Sequence, residues 1–168
     1  GPWALFTSGS KSFNIPAFTG AYGFIPEENE RDSYLQALKG RDGLSSPSVP
    51  ALVAHIAAYR DGAPWLDALR DYLQANMRYV ADTLNNAFPA LCWQPPEATY
   101  LAWIDLRPLN VDDRALQQAL IAEQKVAIMP GYTYGPEGNG FLRLNVGCPR
   151  EKLERGVEGL IAALRSLS

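Results

Sequence analysis

A lysine directly after a short serine–glycine turn is the first residue here with the makings of a reactive group. Ser8-Gly9-Ser10-Lys11 lies at the end of an apolar run, Trp3-Ala4-Leu5-Phe6. An amine in that place is open to partial desolvation, which disfavours the ammonium form and frees the nitrogen to attack a carbonyl. A surface lysine on a loop is the plainer reading, and on spacing alone the commoner one. Three chemistries compete for the motif. A phosphate-cradling loop needs glycine immediately before its lysine, where Ser10 stands, and its upstream glycine is missing, so that reading is rejected. Ser8-x-x-Lys11 also matches the nucleophile motif of penicillin-binding acyl enzymes, but the S-D-N and K-T-G strings they need do not occur. The third is a lysine forming a Schiff base with pyridoxal 5'-phosphate, with Ser8 and Ser10 donating to the cofactor phosphate.

Arg143 is the second candidate. It falls on the polar side of an alternating stretch, Phe141-Leu142-Arg143-Leu144-Asn145. A guanidinium projecting from a half-buried strand suits two-point recognition of a carboxylate, although a structural ion pair is the commoner fate of a strand arginine. The glycines around it, Gly131 to Gly147, indicate tight turns and do not follow the ordered dinucleotide fingerprint. Trp103, Tyr132 and Tyr134 are able to line a pocket but read first as core. His55 reads as a packed or capping histidine, and Cys92 and Cys148 as small buried hydrophobes.

The elements that must position these groups fall into two parts. Residues 1–7 and 17–25 read as buried strands, 26–30 as a solvated turn, 31–39 as a short helix and 40–50 as a loop. A helix over 51–60 stops at Asp61-Gly62. Leu66, Leu69, Leu73, Met77, Val80, Leu84 and Phe88 then recur at three- and four-residue steps, one face of a long helix opened by Pro64 and closed by Pro89. After Pro95-Pro96 the pattern turns to strands over 98–106, 125–129 and 141–146, with a helix capped by Asp112 or Asp113 between the first two. A final helix buries Leu153, Val157, Leu160, Ile161 and Leu164. Residues 65–168 thus read as a small α+β layer able to fold alone. Residues 1–64 lack the neighbours needed to cover their strands.

Composition narrows the class of function. Of 168 residues, 47% are hydrophobic and 20% charged, which rules out wholesale disorder. The net charge of −3 removes the electrostatic argument for a nucleic-acid or anionic-membrane partner. One histidine and two distant cysteines make neither a zinc site nor a disulfide framework, so a reducing cytoplasm is the simpler setting. No apolar run is long enough to span a bilayer, and no signal peptide is expected.

The strings themselves carry more than their spacing. Thr7-Ser8-Gly9-Ser10-Lys11-Ser12-Phe13-Asn14-Ile15-Pro16 resembles the cofactor-lysine segment of fold-type-I pyridoxal-phosphate enzymes. With residues 98–107, 130–135 and 141–150, the chain resembles the MalY/PatB group, cystathionine β-lyases of the class I/II aminotransferase superfamily, from Trp3 onwards. The resemblance implies an α/β fold, the C-terminal part of a fold-type-I enzyme: the end of the large cofactor-binding domain (about 1–64) and the α+β small domain (65–168). It makes Lys11 the cofactor lysine, Ser8 a phosphate contact and Arg143 the group that binds the substrate α-carboxylate. Thr19 departs from the pattern, because many aminotransferases carry a phosphate-binding arginine eight residues after the lysine.

The activity so implied is β-elimination from cystathionine or a related sulfur-containing amino acid, giving a thiol, pyruvate and ammonia. A cytoplasmic homodimer is implied for the complete enzyme. An aminotransferase uses the same lysine and arginine, and a folded small domain without catalysis is the non-enzymatic alternative. Members of the group are more than twice as long as this chain and place the phosphate loop, the ring-stacking aromatic and the pyridine-pairing aspartate upstream of the lysine. The isolated chain is therefore expected to be inactive.

Overall fold

The computed structural model describes residues 1–44 and 46–167, which divide into two compact units, Gly1–Leu69 and Arg70–Ser168. The first unit opens with a two-stranded antiparallel hairpin, β1 (Leu5–Thr7) and β2 (Tyr22–Phe24), paired Leu5 to Phe24 and Thr7 to Tyr22. Helix α1 (Glu28–Gln36) follows, with Glu28 and Glu30 in its first turn where the helix dipole favours anions, and passes into a wider π-helical turn, Ala37–Arg41. Helix α2 (Val49–Asp61) is capped by Ser48, whose Oγ accepts from Ala51 N at 3.4 Å.

Three expectations need correction here. The strands over 1–7 and 17–25 shrink to three residues each and are exposed rather than buried: Leu5, Phe6 and Phe24 each keep more than half of their surface. The solvated turn and helix predicted over 26–39 become a helix that starts at Glu28, because the acidic residues suit a helix start. The loop predicted over 40–50 is interrupted by the end of the π-helical turn and the start of α2, while Ser45 lies outside the described residues. In this unit only Gly9 and Ala51 are buried among the described residues, so no aliphatic core forms. Aromatic contacts take its place: Phe6 against Tyr34 at 5.2 Å, Phe13 against Tyr59 at 5.3 Å, and Tyr22 against Tyr59 at 5.8 Å.

The second unit is built differently. The division falls inside α3 (Ala63–Ala87), whose C-terminal two-thirds bury Met77, Val80, Ala81 and Leu84 as the three- and four-residue spacing predicts. Three antiparallel strands form a sheet in the order β3 (Leu101–Asp105), β5 (Phe141–Asn145), β4 (Met129–Pro130). Helices α4 (Asp113–Ala122) and α5 (Arg150–Ser166) supply Leu116, Leu120, Leu153, Val157, Leu160 and Leu164 to one continuous core with the inward strand residues. Each such side chain, taken fully out of water, contributes roughly 1.5–3 kcal/mol. The Asp112 carboxylate caps α4, accepting from Ala115 N at 2.8 Å.

The strand predicted over 125–129 survives only at Met129–Pro130. Lys125 takes a left-handed conformation (φ 56°), and Val126 N donates to Leu120 O at 2.9 Å, so the backbone there closes α4 and is not free to join the sheet. Cys92 is exposed and Cys148 half-buried, against the expectation that both are buried.

Asn76 is the one buried polar side chain among the described residues, 1% exposed. Its Nδ2 donates to Val146 O at 2.9 Å and Cys148 O at 3.3 Å, tying α3 to the chain leaving β5. Asn76→Ala strands those carbonyls, and an unmet buried polar group costs about 1–3 kcal/mol. Urea unfolding of the variant is expected to show an unfolding free energy lowered by that amount, read as a lower midpoint with an unchanged slope; an unchanged midpoint would remove Asn76 from the account.

Candidate active site

After β1 the chain turns sharply through Ser8–Asn14. Phe13 N donates to Gly9 O at 3.0 Å, Ile15 N to Ser10 O at 3.0 Å, and Asn14 takes the left-handed conformation that reverses the chain. Ser8 organises this turn. Its Oγ donates to Gly20 O at 2.6 Å and accepts from Ser10 N at 3.1 Å. His55 Nε2 lies 3.3 Å from the same oxygen, and His55 Nδ1 is 2.8 Å from Ala51 O, a carbonyl that only accepts, so Nδ1 carries the proton. The ring is held between two glycines: a Cβ at Gly20 would come within 3.3 Å of it, and one at Gly9 within 3.4 Å.

Sequence reasoning set His55 aside as a packing residue and missed this contact with Ser8. The signal available was the spacing of Ala51, His55 and Tyr59, one face of α2, which is the face turned to the Lys11 turn. Lys11 itself is exposed, so the desolvation expected of its amine is not supplied within the described residues. Ser10 is half-buried, and its hydroxyl has no hydrogen-bond partner among them. Ser8, Ser10 and Lys11 therefore sit on one turn of the first unit, while Arg143 belongs to the second.

Arg143 occupies the centre of β5, opposite Trp103 on β3 and Met129 on β4. Leu142 and Leu144 point into the core, so the alternation sends Arg143 to the open face of the sheet, where it is half-buried. The ion pair weighed for it is absent among the described residues; its guanidinium lies over the Tyr134 ring, 4.5 Å from the centroid. Trp103 and Tyr134 are also exposed on this face, in edge-on contact at 5.8 Å, so neither is core. Tyr132 is half-buried with Arg114 over its ring at 5.6 Å.

Farther along the same face Arg107 lies over Phe141 at 4.6 Å and pairs with Asp105 at 2.7 Å. Hydrogen bonds from Arg107 hold the Asp105 carboxyl below the usual carboxylate range, against partial burial that pushes it up. Among the described residues no three His, Cys, Asp or Glu side chains gather as a metal site, and no helix is long and apolar enough to cross a membrane.

The family model for aminotransferase class I and II matches residues 1–160, and the chain belongs to that family. It is 72% identical to protein MalY of Escherichia coli K12 over 167 residues, which is 99% of this chain and 43% of MalY. It is 37% identical to the cystathionine β-lyase PatB of Bacillus subtilis 168, over 92% of this chain and 40% of PatB. Among solved structures, cystalysin of Treponema denticola, which contains pyridoxal 5'-phosphate, matches with a TM-score of 0.89 at 28% identity, covering 98% of this chain and 42% of cystalysin. The fold is thus a C-terminal portion of the fold-type-I architecture, and the chain spans less than half the length of these relatives.

The Asp105–Arg107 pair carries a pH dependence whose sign is fixed. The folded pKa of Asp105 is depressed, so its contribution to stability is complete above the unfolded carboxyl's pKa and is lost as pH falls through the folded value. Arg107→Gln is expected to move the Asp105 titration up towards the ordinary carboxylate value and to remove that acid-side loss. Carbon-detected NMR titration of the carboxyl checks it; an unmoved Asp105 titration would show that Arg107 is not the cause.

Proposed function

We propose that the chain carries the lysine and the carboxylate-binding arginine of a pyridoxal-phosphate-dependent carbon–sulfur β-lyase. Its substrate in this reading is cystathionine or a related sulfur-containing amino acid, and its products are a thiol, pyruvate and ammonia. The observation that carries the reading is the match along nearly the whole chain to MalY and to the cystathionine β-lyase PatB. The residues present fit the cofactor's chemistry. Lys11 offers an exposed amine with no ion-pair partner among the described residues, and Ser10 an uncommitted hydroxyl for a phosphate oxygen. Ser8 spends its one proton on Gly20 O and serves a phosphate only by giving up that bond.

When bound, pyridoxal phosphate supplies the electron sink that stabilises charge left at the substrate Cα. The chain's own residues do the rest. Lys11 would hold the cofactor covalently through its amine. When unprotonated, the same nitrogen would have a lone pair for the Cα proton. Arg143 grips the α-carboxylate through two parallel N–H groups, which fixes rotation about Cα and so selects the bond that breaks. The thiolate leaves Cβ with the bonding electron pair. The exposed apolar side chains Trp3, Leu5, Phe6 and Phe24 support a surface that is covered in the complete enzyme, which in this reading is a homodimer. The two free cysteines of this chain, Cys92 and Cys148, support a cytoplasmic setting.

Pyruvate release from cystathionine, set against amino-group transfer to a keto acid, separates this reading from an aminotransferase. In the cofactor-loaded enzyme, Lys11→Ala is expected to abolish covalent trapping of the cofactor by borohydride; trapping that persists would remove Lys11 from the role. Arg143→Lys keeps the charge but loses the planar two-point grip, a loss of roughly 1.5–3 kcal/mol, or about 10- to 100-fold in kcat/KM. Cofactor affinity should stay nearly the same, and an unchanged kcat/KM would make Arg143 structural.

A further inference from the structure

Among the described residues four arginines lie over aromatic rings, and they are not alike. Arg107 over Phe141 is also paired with Asp105 at 2.7 Å, and Arg150 over Tyr79 at 4.5 Å also faces Glu154 at 3.6 Å. Arg114 stands farther from its ring, 5.6 Å from the Tyr132 centroid. Arg143 alone combines a close ring, 4.5 Å away, with no carboxylate partner among the described residues.

A carboxylate would neutralise the guanidinium and compete with any anionic ligand. A π face attracts the cation from below and leaves the in-plane N–H groups free, which are the groups that bind a carboxylate at two points. Tyr134 therefore restrains Arg143 without consuming its charge.

The sequence is built to put that ring there. Register pairs Met129 with Arg143 and Pro130 with Leu142, so β4 delivers the chain directly beside Arg143. The next residues form a 3-10 turn, Gly131–Tyr134, closed by Thr133 Oγ1 donating to Pro130 O at 2.7 Å. A Cβ at Gly131 would run into Gly138 O and Phe141, so only glycine lets the turn lie this close to β5. Gly135, at φ 125°, then takes the chain away. Trp103 sets its edge against Tyr134 and stacks on Phe141 at 5.5 Å, backing the ring from the side. The motif Pro130-Gly131-Tyr132-Thr133-Tyr134-Gly135 has no other task in the site as described.

We propose that Tyr134 is a positioning residue for Arg143, and that its ring face rather than its hydroxyl does the positioning. This rests on the reading of Arg143 as the α-carboxylate group, and the test separates the two. Dissociation constants of L-alanine and of L-alaninamide, which lacks the carboxylate, are measured on the cofactor-loaded enzyme by the absorbance change on binding. Arg143→Gln should weaken alanine and spare alaninamide. Tyr134→Leu should weaken alanine about 2- to 5-fold and leave alaninamide unchanged, the range expected of a partly exposed cation–π contact. Tyr134→Phe should restore the parent value, and Tyr134→Gln, which keeps a hydrogen-bonding group and loses the ring, should behave like leucine. On an Arg143→Gln background, Tyr134→Leu should cost nothing more.

Equal weakening of both ligands, failure of phenylalanine to restore, or an additive loss on the Arg143→Gln background would overturn the positioning role and leave the carboxylate reading intact. An alanine-to-alaninamide ratio unchanged by Arg143→Gln would overturn that reading, and the role of Tyr134 with it.

Discussion

The register between β3 and β5 is the constraint on which the second unit depends. Leu101 faces Asn145, Trp103 faces Arg143 and Asp105 faces Phe141, while Ala102, Ile104, Leu142 and Leu144 turn inward. Because side chains alternate with a period of two, a slip of one residue would drive Arg143 into the core and expose both leucines. Burying an unpaired guanidinium costs far more than any loop can recover, so the core that folds the unit also decides where the arginine goes. Asn76 reinforces the choice by binding the chain just beyond β5. Stability and presentation of the cation are thus one problem with one solution.

The Lys11 turn is held by other means. Its unit buries only Gly9 and Ala51 among the described residues, so packing energy cannot fix the turn. The work falls to directional bonds: Ser8 joins Gly20 O, Ser10 N and the His55 ring, and glycines on both sides let that ring approach. A turn held by hydrogen bonds places donors accurately but leaves its amine in water.

Periodicity made most of the second unit legible. The stripe Met77, Val80, Leu84, the alternation in 141–146 and the cap at Asp112 are local signals, and each element forms where its signal lies. The stretch 125–129 misled because its apolar run is short and its fate is set by Lys125 at positive φ and by a bond back to Leu120. The buried strands of the first unit misled for a different reason: apolar composition says that a segment prefers cover, not that the cover is in the same chain. Lys11, Ser8 and Arg143 were visible as motifs, whereas His55 is 47 residues from Ser8 and enters only through folding. Tyr134 was visible as an aromatic residue but not as the partner of an arginine, since the turn that aims it is fixed by Gly131 against Gly138.

Arg107 and Arg143 show how one sheet face treats two cations differently. Both lie over rings at nearly equal distance, 4.6 and 4.5 Å. Asp105 sits two residues before Arg107 in the same chain segment, so that pair forms locally, depresses the Asp105 carboxyl and leaves the guanidinium spent. Around Arg143 the cross-strand neighbours are Trp103 and Met129, neither of which can accept its charge. An exposed ion pair contributes little to stability, so the absence of one at Arg143 costs the fold little. What it preserves is a cation held over a ring, with its hydrogen-bonding edge free of any carboxylate among the described residues.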